Sequence, residues 1–244
     1  MSTPTRRAGK KVAESARPRA LTGRGARKPE DGRLTPTYHL VGFSEVSERK
    51  QQILATAADI LEHKSFAAFS YQDLAERLGI RKASIHHHFP TKETLGVSLV
   101  EFYRTNAEAM MTRLVERAPT PGVALRTFFA GAEEALLDGT HNVCPHGAFD
   151  ENSDSLPDSI VERLKTLRAW SYGEVAELLE AARDGGEVRF EGPAEDQAVF
   201  LLAALEGARG CARSGDRTAF RAVVRQLLRS LGLEVTDASE APAT

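Results

Sequence analysis

The sequence predicts an all-α protein, and three observations carry that expectation. From Ser44 onward apolar residues recur at helical spacing, as in Ile53, Ala57, Ile60 and Leu61. Ser, Thr and Pro stand where helices would start, and Gly or Pro where they would stop. The one stretch that can pass for a strand, Glu187-Val188-Arg189-Phe190, has no partner strand.

The elements follow in order. A first helix spans about 44–63. Ser70 precedes Tyr71-Gln72-Asp73, an S-x-x-D capping signature that opens a short helix ending at Gly79. A second short helix fits Lys82 to His88 and stops at Phe89-Pro90. Thr91 can cap a long helix over about 92–117, whose apolar face carries Leu95, Leu99, Phe102, Met110 and Leu114. Pro119-Thr120-Pro121-Gly122 breaks the chain before a helix over about 121–137. An irregular stretch from Gly139 to Leu156 holds one short helix near 145–152. Ser155-Leu156-Pro157-Asp158 then starts a helix that runs to about Arg183, before Gly185-Gly186. Pro193 opens a helix to about Ser214, and the last helix covers about 216–231.

Charge is distributed unevenly over the 244 residues. Residues 1–40 hold ten Lys/Arg against three acids, a net +7, whereas residues 96–244 hold fifteen against 24, a net −9. A basic head on an acidic body points to a polyanionic partner for the head. Residues 1–43 are rich in Arg, Lys, Pro, Gly, Ser and Thr and bury too little apolar surface to offset ordering entropy. They are expected to be a disordered basic tail, either attracted to phosphate or simply solvated. A second disordered tail is expected over 233–244. No apolar run is long enough to cross a membrane, and the basic N-terminus has no apolar h-region behind it, so a cytoplasmic location is expected, nucleoid-associated if the basic head meets DNA. Two cysteines, Cys144 and Cys211, cannot build a disulfide framework. No G-x-S-x-G, H-x-x-x-H or Gly-rich phosphate loop is present, so no enzyme and no cofactor is expected.

The two short helices joined by Gly79-Ile80-Arg81 make a helix-turn-helix candidate. Ala75 is small enough for close helix approach, and Leu74, Leu78, Ile80 and Ile85 supply a small core. The second helix then exposes Lys82, Ala83, Ser84, His86 and His87, short or polar groups suited to base edges and phosphates in a major groove. Three consecutive histidines, His86-His87-His88, point about 100° apart on a helix and form no chelating face.

Residues Phe66 to Leu95, FAAFSYQDLAERLGIRKASIHHHFPTKETL, resemble the DNA-binding domain of the TetR family of bacterial repressors. Asp73-Leu74-Ala75, Leu78-Gly79-Ile80, His88-Phe89-Pro90 and Lys92-Glu93-x-Leu95 match the family pattern in order and spacing. Ala83 replaces a usual Gly and His86 a usual Tyr. The resemblance implies a three-helix helix-turn-helix DNA-binding domain over 44–95. It also implies a helical ligand-binding and dimerisation domain over 96–232, with the helix at about 92–117 linking the two. It implies a homodimeric repressor released from a palindromic double-stranded DNA operator by a small-molecule effector, without a membrane partner. A sensor module whose DNA role is secondary is the alternative. The DNA-contacting residues would be Ser70, Tyr71, Gln72, Arg81, Lys82, Ala83, Ser84, His86, His87 and Lys92.

Thr140 to Phe149 reads THNVCPHGAF and brings His141, Cys144 and His146 within six residues. No fourth metal ligand is evident, so no metal is expected there. The segment, with Leu156-Pro157-Asp158, is similar to a subgroup of the family in which a Cys-containing G-C-L-x-G stretch lies by the effector pocket. Val143 and Pro145 depart from that pattern. Cys144, His141, His146 and Phe149 are therefore the effector or sensor candidates, with plain packing the other reading for Cys144. The family places its dimer interface on the last two helices. Leu201, Leu205, Ala208, Val224, Leu227 and Leu228 are the residues expected there, with Gly207 and Gly210 allowing close approach.

Overall fold

The computed structural model describes residues 47–61, 64–137, 145–150 and 156–233, all within one of the chain's two units, Pro36–Thr244. The expectations for both tails and for His141 and Cys144 lie outside them. Among the described residues every regular element is helical, as the periodicity predicts. The first three are α1 (Glu48–Leu61), α2 (Tyr71–Leu78) and α3 (Lys82–His88). The long α4 (Lys92–Arg117) leads to α5 (Pro121–Leu137) and the short α6 (Pro145–Asp150). Then come α7 (Asp158–Asp184), α8 (Ala194–Arg213) and α9 (Arg217–Ser230).

The capping residues act as the sequence indicates. The Ser70 hydroxyl accepts from the Asp73 amide and the Asp73 carboxylate accepts from the Ser70 amide, a closed capping box. Thr91 and Thr94 repeat this at the start of α4. Gly79 ends α2 at φ 64°, a left-handed conformation that a side chain would resist. The segment around Val188 does not pair as a strand. Val188 is buried, and the Arg189 amide donates to the Leu231 carbonyl beyond α9.

Two apolar cores result. The first joins Ile53, Leu54 and Leu61 of α1, Leu74 of α2 and Ile85 of α3 to Leu95, Leu99 and Phe102 of α4. It also includes Phe149 of α6 and Ile160 and Leu164 of α7. The second joins α5, the far half of α7, α8 and α9, with Met111 of α4 among its members. Met111, not Met110, faces inward; Met110 is 44% exposed, because the face of α4 turns gradually past a strict heptad over its length. Trp170 of α7 packs against both cores.

The residues expected at a dimer seam are corrected by this packing. Leu201, Leu205, Ala208, Val224, Leu227 and Leu228 are all buried inside the protomer, where α8 and α9 pack on each other, on α5 and on α7. The protomer has enough helices to cover both stripes itself. The outward side of α8 instead presents Val199, Phe200, Ala203, Gly207 and Cys211, and Phe200 is 55% exposed.

Candidate nucleic-acid interface

The site is built on α3. Only Ile85 of this helix is buried, and it anchors the helix in the first core. Its other faces then carry Lys82, Ala83, His86 and His87 exposed, with Ser84 half-buried and Arg81 exposed at the N-cap. A helix of seven residues gains little from its own hydrogen bonds, so its orientation depends on what holds its ends. At the front, the Gly79 turn fixes the angle to α2, closed by the Ile80 amide donating to the Ala75 carbonyl at 3.0 Å. At the back, the Tyr71 hydroxyl lies 2.9 Å from the Phe89 carbonyl oxygen and 2.6 Å from that of Thr91.

That arrangement revises the expectation for Tyr71. It is buried, and its hydroxyl is used on the corner between α3 and α4 rather than offered to a phosphate. Burial pushes its phenol up to about 12, so it remains a neutral donor. His86 rests against it, ring to ring at 4.7 Å, and turns Nδ1 toward the Pro90 carbonyl at 3.3 Å. With Nδ1 donating to that carbonyl, Nε2 of the neutral ring is an acceptor and can meet a phosphate oxygen only in the imidazolium form.

Lys92 is also placed differently from the sequence expectation. Its ammonium donates to the Ala67 carbonyl at 2.9 Å and lies 5.0 Å from the ring centres of both Phe66 and Phe69. Desolvation there lowers its pKa, while nearby Asp73 acts the other way. The apparent conflict of a cation at a helix N-terminus is met by this tether, which the sequence did not suggest. Asp73 itself pairs with Lys64 at 2.6 Å, and that hydrogen bond, then the one from Ser70, hold its carboxyl down to about 2. Gln72 is exposed and donates to Glu76 one turn on, at 2.8 Å.

Phe149, an effector candidate within the described residues, is placed in the first core. It is buried and stacks on Phe66 at 4.8 Å, while the Phe66 amide donates to the Ala148 carbonyl at 3.2 Å. It packs at the joint between α6 and the loop before α2. Among the described residues no group of three potential metal ligands comes together.

With this geometry in place, comparison with known proteins is decisive. Residues 53–98 match the family model for bacterial regulatory proteins of the tetR family. The regulator EthR of Mycobacterium tuberculosis is 33% identical over 160 residues, which cover 63% of this chain and 70% of EthR. This chain belongs to the TetR family. A TetR-family regulator from Agrobacterium tumefaciens has the same fold, with a TM-score of 0.71 and 30% identity over 75% of this chain and 97% of that one. EthR of Mycolicibacterium smegmatis is 38% identical over 80 residues, a match that spans only 37% of its own length. The TetR-family chain is thus a DNA-binding transcriptional regulator and not an enzyme, with α2 and α3 as its helix-turn-helix.

Proposed function

We propose that this TetR-family regulator is a homodimeric cytoplasmic repressor that lays α3 of each protomer into successive major grooves of a palindromic operator. A small-molecule effector bound in the helical body releases it. The observation that carries this reading is the division of labour on α3. One side chain, Ile85, is buried, and Lys82, Ala83, Ser84 and His87 are left to meet base edges, as short and polar groups can. Arg81, Gln72 and Ser70 flank them and suit phosphate oxygens, as does His86 when its ring is protonated on both nitrogens. Phe200, Ala203 and Gly207 on the outward side of α8 are the contact assigned to the second protomer. In the crystal structures of its relatives the fold is shared, and in this chain the apolar exposure on α8 supports that assignment.

The test is footprinting on a genomic duplex, followed by binding to every single-base variant of the protected site. His87→Ala and Ser84→Ala should keep binding but relax the preference at particular positions, at about 1–3 kcal/mol of lost discrimination for each contact removed. An unchanged preference in both variants would remove α3 as the reading helix.

A further inference from the structure

The reading helix ends in three consecutive histidines, and their surroundings differ. His86 turns Nδ1 toward the Pro90 carbonyl at 3.3 Å and lies against the Tyr71 ring at 4.7 Å. His87 and His88 meet edge to face at 5.3 Å, and among the described residues neither of these two rings is hydrogen-bonded. The difference decides what each ring can do. A carbonyl oxygen only accepts, so Nδ1 of His86 holds the hydrogen of the neutral ring and Nε2 presents a lone pair. A lone pair aimed at a phosphate oxygen is repelled by it. His87 has no such constraint, since it can carry its hydrogen on either nitrogen and donate while neutral.

The groups around His86 leave a charge on its ring unanswered. On α2, Tyr71 is a neutral phenol whose hydroxyl is used on Phe89 and Thr91, Asp73 is paired with Lys64, and Glu76 accepts from Gln72. At the start of α4, Lys92 is tethered to Ala67 and Glu93 accepts from Ser159. On α1, Lys50 lies over the Phe89 ring. Lys82, one turn earlier on α3, and Arg81 at its N-cap are exposed and positive. Among the described residues no carboxylate pairs with the His86 ring. The first anion that its imidazolium meets is therefore one brought from outside.

We propose that His86 links operator binding to pH: on docking, the ring of each protomer takes up one proton from solvent and donates through Nε2 to a backbone phosphate beside the bases read by α3. This deepens the operator-binding reading above and rests on it. Imidazole is the side chain whose charge changes between about pH 5 and 8, so the linkage falls near neutrality. Its sign follows from where the proton is held. The phosphate stabilises the charged ring only in the complex, so affinity is gained as pH falls and lost as pH rises. Each protomer thereby makes a phosphate contact in acid that is missing in alkali.

The experiment titrates the genomic duplex protected in footprinting with the full chain, at about pH 5.5 and about pH 8, over a range of salt. Wild type should bind about tenfold more tightly at the lower pH, as for one charge-assisted hydrogen bond gained. Its salt slope should be steeper there by about 0.9 for each protomer. His86→Gln keeps a donor toward Pro90 but does not titrate, so it should lose both differences and match wild type at the higher pH. His86→Arg, positive throughout, should hold the acid affinity and slope at both. His87→Gln should remain as sensitive to pH as wild type. A wild-type affinity and slope that do not change with pH would overturn the proposal. So would a pH dependence that survives in His86→Gln or vanishes in His87→Gln, because the proton would then sit on another ring. Should the Gln variant fail to fold, judged by thermal unfolding, His86→Arg decides alone, and a pH dependence equal to wild type sinks the linkage. Were wild type to protect no duplex at either pH, the operator-binding reading would fall first and the linkage with it; protection with a flat pH profile would sink the linkage only.

Discussion

Gly96 of α4 and Ile160 of α7 meet with no room for a β-carbon between them. One built on Gly96 would clash with Ile160 Cδ1 and fall 2.7 Å from Phe66 Cζ. Phe66 in turn stacks on Phe149. Three segments of the chain, α4, α7 and the loop leading into the helix-turn-helix, therefore meet at a single glycine, and α6 joins them through Phe149. Two further contacts hold α7 to α4 beside it, Ser159 with Glu93 and Arg163 with Glu101.

Gly96→Ala should force α4 and α7 apart at this joint. Overpacking of this kind costs about 1–3 kcal/mol. Thermal unfolding should report the loss, and operator affinity should change with it, because Phe66 belongs to the loop that leads into α2. An alanine variant as stable as wild type, with equal affinity, would show that the joint yields without consequence.

Tyr71→Phe should remove the side-chain donor of the buried Phe89 carbonyl, whereas that of Thr91 keeps the Leu95 amide and the Thr94 hydroxyl. The expected cost is about 1–3 kcal/mol in chemical denaturation, as for other orphaned buried acceptors. Operator binding should weaken as the back of α3 loosens. The two proteins should also differ in alkali. The folded phenol titrates near 12 against 10.0 for an ordinary tyrosine, so its contribution is complete below pH 10 and fades as pH rises toward 12. The Phe variant should lack that part of the decline.

Lys92→Ala should lower stability by about 1–2 kcal/mol, by removing a charged hydrogen bond and two ring contacts. The salt slope of DNA binding should stay unchanged, because the ammonium is held on Ala67. A slope reduced by about one unit at intact stability would instead return Lys92 to the phosphate-binding set.

Phe200→Glu and Leu205→Glu separate the two sides of α8. The first, on the outward face, should give a folded monomer by sedimentation, with operator binding lost alongside the dimer. The second buries a charge inside the protomer at a cost of several kcal/mol and should unfold it. A dimer that survives Phe200→Glu would exclude this face as the contact between protomers.

The helices were legible in the sequence because their ends are written in local chemistry. Ser70, Thr91, Gly79 and Pro157 act within a few residues of themselves, and each element they bound lies where expected. The uses of individual side chains were harder to read, because they are decided by distant parts of the chain. Tyr71 stands at a helix start, where a phosphate contact is reasonable, until Phe89 and Thr91 fold back to claim its hydroxyl. On α8 the stripe itself was visible, but its division was not. Phe200 and Leu201 differ by about 100° around the helix, and only the presence of α5, α7 and α9 decides which one is covered.

Trp170 is the chain's sole tryptophan, and it touches both apolar cores. The protein therefore carries a built-in optical reporter at a place where its two halves share packing. A shift in indole emission on adding DNA or a candidate effector would register a rearrangement between the cores directly, in the unlabelled wild-type chain. The same signal can be followed in time to ask which half moves first.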